Sequence, residues 1–221
     1  MIYKSNIDLW QGALNQRTPK FNEMLYEEEC FLLRNITSGN RVIDLGCGTG
    51  RNVETILTKT PCVLGIDFDP LVVERFNLKF EHLPSVYAKQ GCVHDLSFCD
   101  DNTFDVAVFF DLLTNLEDSK LKSFFEISRV LKKGGILLLS TYAEMALQSR
   151  LEMYKVADLP VCSVAKDGVV VFEITSDSGI DFVISEQFSL SQLNVFGQRA
   201  GLTMISTKKV GDLAYLVVFQ K

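Results

Sequence analysis

The sequence predicts a doubly wound α/β fold: a mostly parallel sheet with helices on both faces and an antiparallel hairpin inserted late in the chain. Three observations predict it. Short apolar runs alternate with helical patterns over residues 41–142, and a glycine-rich turn joins the first run to the helix after it. Beyond Tyr142 the alternation gives way to two β-rich runs around Ser176-Asp177-Ser178-Gly179. At 221 residues the chain is long enough for one substantial core and short for two ordinary domains. It therefore reads as one domain, with a helical cover (1–40), a core (41–142), an insertion (143–189) and a closing helix and strands (190–221).

Each element has a local cause. The cover has an aromatic-bearing start and a helix over 21–35. Strands are expected at 41–45, 62–66, 104–110 and 136–142, short and apolar as buried parallel strands are, with a weaker candidate at 85–90. Asp69-Pro70 starts the helix before that weaker strand, because proline fits the first helical turn. A helix over 119–131 is closed by Lys132 and Lys133, whose charge suits a helix C-terminus, and by Gly134-Gly135. Residues 143–157 read as helical and lead to Pro160, after which 168–175 and 180–188 form the hairpin. A helix over 191–200 stops at Gly201, and 202–207 and 214–219 are the final strands.

Composition narrows the function. No apolar run approaches the roughly 18 residues of a membrane span, and the start MIYKSNIDLWQ lacks a secretory pattern, so a cytoplasmic location is expected. Six cysteines occur without a C-x-x-C pair, which points to small buried apolar residues and to no metal site. The net charge is -6, and no cluster of Lys and Arg is denser than Lys132-Lys133. Affinity for nucleic acid needs clustered positive charge, so a neutral or cationic small molecule is the expected partner.

The sharpest motif is VIDLGCGTGRN, residues 42–52, a strand running into a glycine turn and then a helix. Glycine permits positive φ and close approach of a ligand to the backbone. The spacing is G-x-G-x-G; the dinucleotide fingerprint G-x-G-x-x-G would need glycine where Arg51 stands. Asp44 would repel a pyrophosphate and suits a ligand bearing an ammonium and a sulfonium, which favours S-adenosylmethionine over NAD. About 20 residues on, Asp67 ends the run VLGID, where a carboxylate can accept both ribose hydroxyls; Asp69, just before Pro70, reads instead as a helix cap.

VIDLGCGTGRN, VLGID, QGCVHDLSF with NTFDVAVFFDLL, and LKKGGILLLSTY, in that order, resemble the motifs of class I S-adenosylmethionine-dependent methyltransferases. The resemblance is strong over 41–142 and looser over 202–219. It implies a Rossmann-like seven-stranded sheet whose last strand runs antiparallel, and S-adenosylmethionine as cofactor with S-adenosylhomocysteine as product. It implies that Asp44, Gly46, Cys47 and Gly48 line the methionine part, and that Asp67 and Phe68 hold the ribose and flank the adenine. Cys92, Val93 and His94 fall at the adenine edge, Cys92 standing where most relatives have an Asp. Phe110 and Asp111 match positions beside the methyl donor; Asp111 orients an acceptor, takes its proton, or merely caps the next helix. With Tyr142 it forms the pair of catalytic candidates. The N-terminal segment would place Tyr3 and Trp10 over the cofactor and Arg17 at its carboxylate, unless Tyr3 and Trp10 simply pack a short helix.

The implied function is methyl transfer to a small-molecule nitrogen or oxygen acceptor by in-line displacement. Phe110-Asp111-Leu112-Leu113 is unlike the (N/D)-P-P-(Y/F) of enzymes that methylate base amines. A peptide or protein methyltransferase, or a non-catalytic cofactor-binding protein, is the alternative. The insertion is expected to close over the site as a lid, with Tyr142, Met145, Met153, Tyr154 and Phe172 as wall for the acceptor, or else to be a structural hairpin.

Overall fold

A computed structural model describes residues 6–176 and 179–221. In chain order its elements are α1 (Asn6–Asn15), α2 (Pro19–Asn35), β1 (Val42–Leu45), α3 (Arg51–Ile56), β2 (Val63–Asp67), α4 (Pro70–Lys79), β3 (Val86–Gln90), β4 (Phe104–Phe110), α5 (Lys120–Val130) and β5 (Leu131–Tyr142). There follow α6 (Leu147–Val156), β6 (Val161–Val164), β7 (Val170–Ser176), β8 (Gly179–Ser185), α7 (Leu190–Arg199), β9 (Thr203–Val210) and β10 (Ala214–Gln220). Seven strands form one sheet, ordered β3-β2-β1-β4-β5-β10-β9. The first five are parallel, and β10 runs antiparallel between β5 and β9. This is the Rossmann-like methyltransferase architecture. The order reverses at β1, so the crevice between the ends of β1 and β4 is the topological switch point at which open α/β sheets bind ligands.

The two-residue period of the strands builds a core on each face. Val106, Val108 and Phe110 of β4, Leu138 of β5 and Leu216 and Val218 of β10 pack on one face with Phe21, Met24 and Phe31 of α2 and Phe76 of α4. Ala107, Phe109, Leu137, Leu139, Val217 and Phe219 point the other way, against Phe124 and Ile127 of α5 and Leu193 of α7. Helix starts follow their caps. Thr18 Oγ1 accepts from Phe21 N ahead of α2, Asp69 accepts from Leu71 N and Val72 N ahead of α4, and Ser189 and Gln192 close a capping box on α7.

The structure corrects several boundaries. The helix predicted over 119–131 spans Lys120–Val130, and Leu131 is already extended at φ -69, ψ 139. Lys132-Lys133-Gly134-Gly135 belongs to β5, as an irregularity between the pairs Phe104↔Leu131 and Val106↔Ile136. A pair of lysines serves a strand here because Lys132 bonds to Asp105 at 2.7 Å, while Gly134 takes φ +79 and donates to the Lys221 carbonyl. The hairpin is a three-stranded antiparallel sheet, ordered β6-β7-β8, since the predominantly exposed run Val161–Val164 adds a strand. Its predicted turn residues Asp177 and Ser178 lie outside the described residues. Of six cysteines only Cys47 and Cys99 are buried. Among the described residues, no helix is long and apolar enough to cross a membrane, and no cluster of His, Cys, Asp and Glu is arranged to hold a metal.

Candidate active site

The glycine turn is held by backbone bonds to the neighbouring strand: Gly46 N and Cys47 N both donate to Ile66 O, at 2.8 and 3.0 Å. Two glycines are needed there for different reasons. Gly46 has φ +73, and a Cβ on it would come within 2.9 Å of Leu112 Cδ2. Gly48 has φ +52, and a Cβ on it would meet nothing within 4 Å, because it faces the cavity. That cavity, ≈ 400 Å³, lies at the switch point. It falls in the range of small-molecule and cofactor sites, roughly 300–1,000 Å³.

On the β2 side, the Asp67 carboxylate accepts from Gly48 N at 3.0 Å and from Asp69 N at 3.2 Å, tying the turn to the end of β2. Burial raises its pKa against the pull of those amides. Phe68, Cys92, Val93 and His94 line the same cavity, with Phe68 half exposed and Val93 buried. Asp44 does not line it. Its carboxylate is fully buried, accepts from Asn52 Nδ2 at 3.3 Å through Oδ1, and keeps Oδ2 without a donor. Burial pushes this carboxyl up to about 6, against the pull of Asn52 and Arg51.

On the β4 side lies a partly buried charge network. Arg51, the first residue of α3, bonds Glu28 Oε2 at 2.7 Å and Asp111 Oδ2 at 3.1 Å. Ser140 Oγ donates to Glu28 Oε1 at 2.5 Å, and Asp111 N donates to Ser140 O at 3.0 Å. Asp111 sits at φ +59, a left-handed conformation that aspartate tolerates better than most residues. Its side chain is 29% exposed, yet Oδ1 is enclosed and meets no hydrogen-bond donor. Burial, with Glu28 as the next influence, holds this carboxyl well above the usual carboxylate range. Tyr142, 5% exposed, lines the cavity beside it, and burial likewise raises its phenol, which is therefore a hydrogen-bond donor and not a base.

The roof comes from the N-terminal helix. Trp10, Ala13 and Leu14 of α1 and Phe21 of α2 line the cavity. Trp10 packs edge-on against Phe172 of the insertion, with ring centroids 5.6 Å apart. Among the described residues, none of 143–189 lines the cavity. Met153, Tyr154 and Phe172 are buried behind Trp10, and Met145 is 55% exposed. Arg17 also lies outside the cavity: it bonds Leu14 O and lines a neighbouring groove over Asn52. Tyr3 falls outside the described residues. The structure thus brings together Trp10, Gly46, Cys47, Gly48, Asp67, Phe68, Cys92, Val93, His94, Phe110, Asp111 and Tyr142.

Sequence reasoning missed Glu28, Asn115 and Leu116, and used Arg51 only to argue against a dinucleotide. Glu28 had a signal, as the lone acid on the buried stripe Phe21, Met24, Phe31 and Leu32 of α2. Asn115 had none: its amide bonds Ile184 O of the insertion, a contact 69 residues away in sequence.

A protein-family model described as a methyltransferase domain matches residues 42–135. A Mycolicibacterium smegmatis protein named "Probable S-adenosylmethionine-dependent methyltransferase" is 29% identical over 120 residues, covering 54% of this chain and 43% of that protein. A tRNA N(3)-cytidine methyltransferase of Danio rerio is 34% identical over 114 residues, covering 46% of this chain and 31% of that one. The chain therefore spans less than half the length of either curated relative. The crystal structure of the PH0226 protein from Pyrococcus horikoshii OT3 shares the fold, with a TM-score of 0.66 at 23% identity over 90% of this chain and 88% of that one. The chain thus carries a methyltransferase domain over residues 42–135 and is similar there to S-adenosylmethionine-dependent methyltransferases.

S-adenosylmethionine is the cofactor named for such relatives, and the residues present fit it. The space over Gly48 that a Cβ would fill is open to a ligand, and Asp67 offers carboxylate oxygens beside it. Arg51, the cavity's one arginine or lysine among the described residues, is already neutralised by Glu28 and Asp111. A ligand carrying a sulfonium and an ammonium meets acid there and no free cation.

Proposed function

We propose that the chain transfers a methyl group from S-adenosylmethionine to a small-molecule nitrogen or oxygen acceptor. The observation that carries this reading is the roofed cavity, which runs from Gly48 and Asp67 at one end to Asp111, Asn115 and Tyr142 at the other, beneath Trp10 and Leu14.

When bound, S-adenosylmethionine supplies an activated methyl group with a good leaving group. The chain's residues then need chiefly to align two partners and exclude water. Gly46 and Gly48 let the backbone approach the methionine part, with Cys47 beside them; burial keeps the Cys47 thiol protonated and unreactive. Asp67 holds the ribose, and Phe68, Val93, Cys92 and His94 surround the adenine. Asp44 acts from below, bracing the turn through Asn52 of α3. Trp10, Leu14 and Phe21 shut out water, and the insertion backs Trp10 in place of closing over the site itself. Phe110 packs the wall, stacked on Phe31 with ring centroids 6.1 Å apart. Asp111 and Tyr142 orient the acceptor.

Two measurements test this. Methyl transfer from labelled S-adenosylmethionine to a panel of small amines and phenols should exceed transfer to tRNA or to peptides; label appearing in tRNA alone would overturn the small-molecule assignment. Asp67→Ala should weaken S-adenosylhomocysteine binding in calorimetry by about 1.5–3 kcal/mol, the value of hydrogen bonds to a charged group. Unchanged affinity would place the ribose elsewhere.

A further inference from the structure

The network beside the cavity holds two carboxylates against one guanidinium. Glu28 is 1% exposed and lies between Arg51 and Ser140, while Asp111 Oδ2 meets the other guanidinium nitrogen. With every group ionised the set would carry one uncompensated negative charge. Asp111 Oδ1 is enclosed and no N–H or O–H reaches it. Such an oxygen is costly to leave bare, and two close carboxylates resist ionising together, so one proton between them is the stable filling. The groups facing Asp111 give no alternative: Glu28 from α2, Arg51 from α3, and from β5 Tyr142, a buried neutral phenol; Asp44 of β1 acts on Arg51 from the other side.

Resting on the reading of this cavity as the S-adenosylmethionine site, we propose that the Glu28–Asp111 pair distinguishes the methyl donor from its product by charge, and so determines cofactor specificity. S-adenosylmethionine carries a sulfonium, an ammonium and a carboxylate, net +1; S-adenosylhomocysteine has a neutral thioether and no net charge. Binding of the donor expels the pair's proton to solvent, leaving a carboxylate to compensate the sulfonium. Once the methyl group and its charge have left, the pair regains a proton from solvent, and the product is held less tightly than the donor. The nucleoside, ammonium and carboxylate are common to both ligands, so proton movements coupled to those parts cancel when the two are compared.

Calorimetric titration of the intact chain with each ligand, in two buffers of different ionisation enthalpy at about pH 6.5, counts the protons. S-adenosylmethionine should release up to about one more than S-adenosylhomocysteine. The ratio of the two affinities should rise with pH in favour of the donor, by up to about tenfold per pH unit. Asp111→Asn, which keeps a residue that tolerates positive φ, and independently Glu28→Gln should each abolish the difference while S-adenosylhomocysteine still binds. Equal proton release by the two ligands, or a difference that survives in both variants, overturns the proposal. Binding of neither ligand to the wild-type chain defeats the cofactor reading itself.

Discussion

Gly48→Val should abolish S-adenosylhomocysteine binding, a loss of more than about 100-fold, or roughly 2.7 kcal/mol. Two effects combine. The side chain would project into the space over the turn, where nothing of the protein lies within 4 Å, and it would sit at φ +52, which β-branched residues avoid. Strain alone would lower stability by about 1–2 kcal/mol, so binding and folding must be separated. Gly39→Val is the control, because Gly39 also has positive φ (+88) and open surroundings but is not part of the cavity. It should lose similar stability in urea unfolding and bind ligand normally. Were Gly48→Val to bind within a few-fold of wild type, the cavity over the turn would not be the cofactor site.

Arg51→Met should be the most damaging single change to the fold. It leaves the buried Glu28 carboxylate and the partly buried Asp111 carboxylate without their shared cation, and breaking a buried ion pair from one side costs about 3–5 kcal/mol. The pH dependence supplies a second check. The folded-state pKa of Asp111 is raised above its unfolded value, so its protonation favours the fold, and that stability is present at low pH and lost as pH rises through the folded value. Arg51 is the influence holding this carboxyl down, so its removal should deepen the loss at pH 8 and leave a smaller deficit at pH 5. A deficit under about 1 kcal/mol at pH 8, typical of an exposed ion pair, would mean that the three groups do not act as a buried network.

Much of this was legible from residues alone, and the legible parts share a property. The turn at Gly46, Gly48 and Gly50, the cap Asp69, and the apolar runs of β1, β2 and β4 are decided within a few residues of sequence. Their signals survive without knowing what they touch. Lys132-Lys133-Gly134-Gly135 misled because those residues fit a helix end as well as a strand irregularity, and the pairing with Asp105 and Lys221 that decides between them is remote. β6 was missed because a four-residue, predominantly exposed strand has no inward face to alternate against.

By itself the sequence determined the doubly wound sheet, the glycine turn, the acid at the end of β2 and, through them, a cofactor bearing positive charge. Those follow from period, glycine conformation and charge, which are properties of short segments. Only the tertiary structure decided what closes the cavity and what sets its charge. The insertion backs Trp10 and leaves the roof to α1, because Tyr154 and Phe172 are buried in the core behind that ring. Glu28, Arg51 and Asp111 come from three separate elements, and no spacing in the chain links them. Their meeting depends on α2 laying its buried stripe against the sheet beside β4 and β5, where burial turns three ordinary charges into one interdependent set.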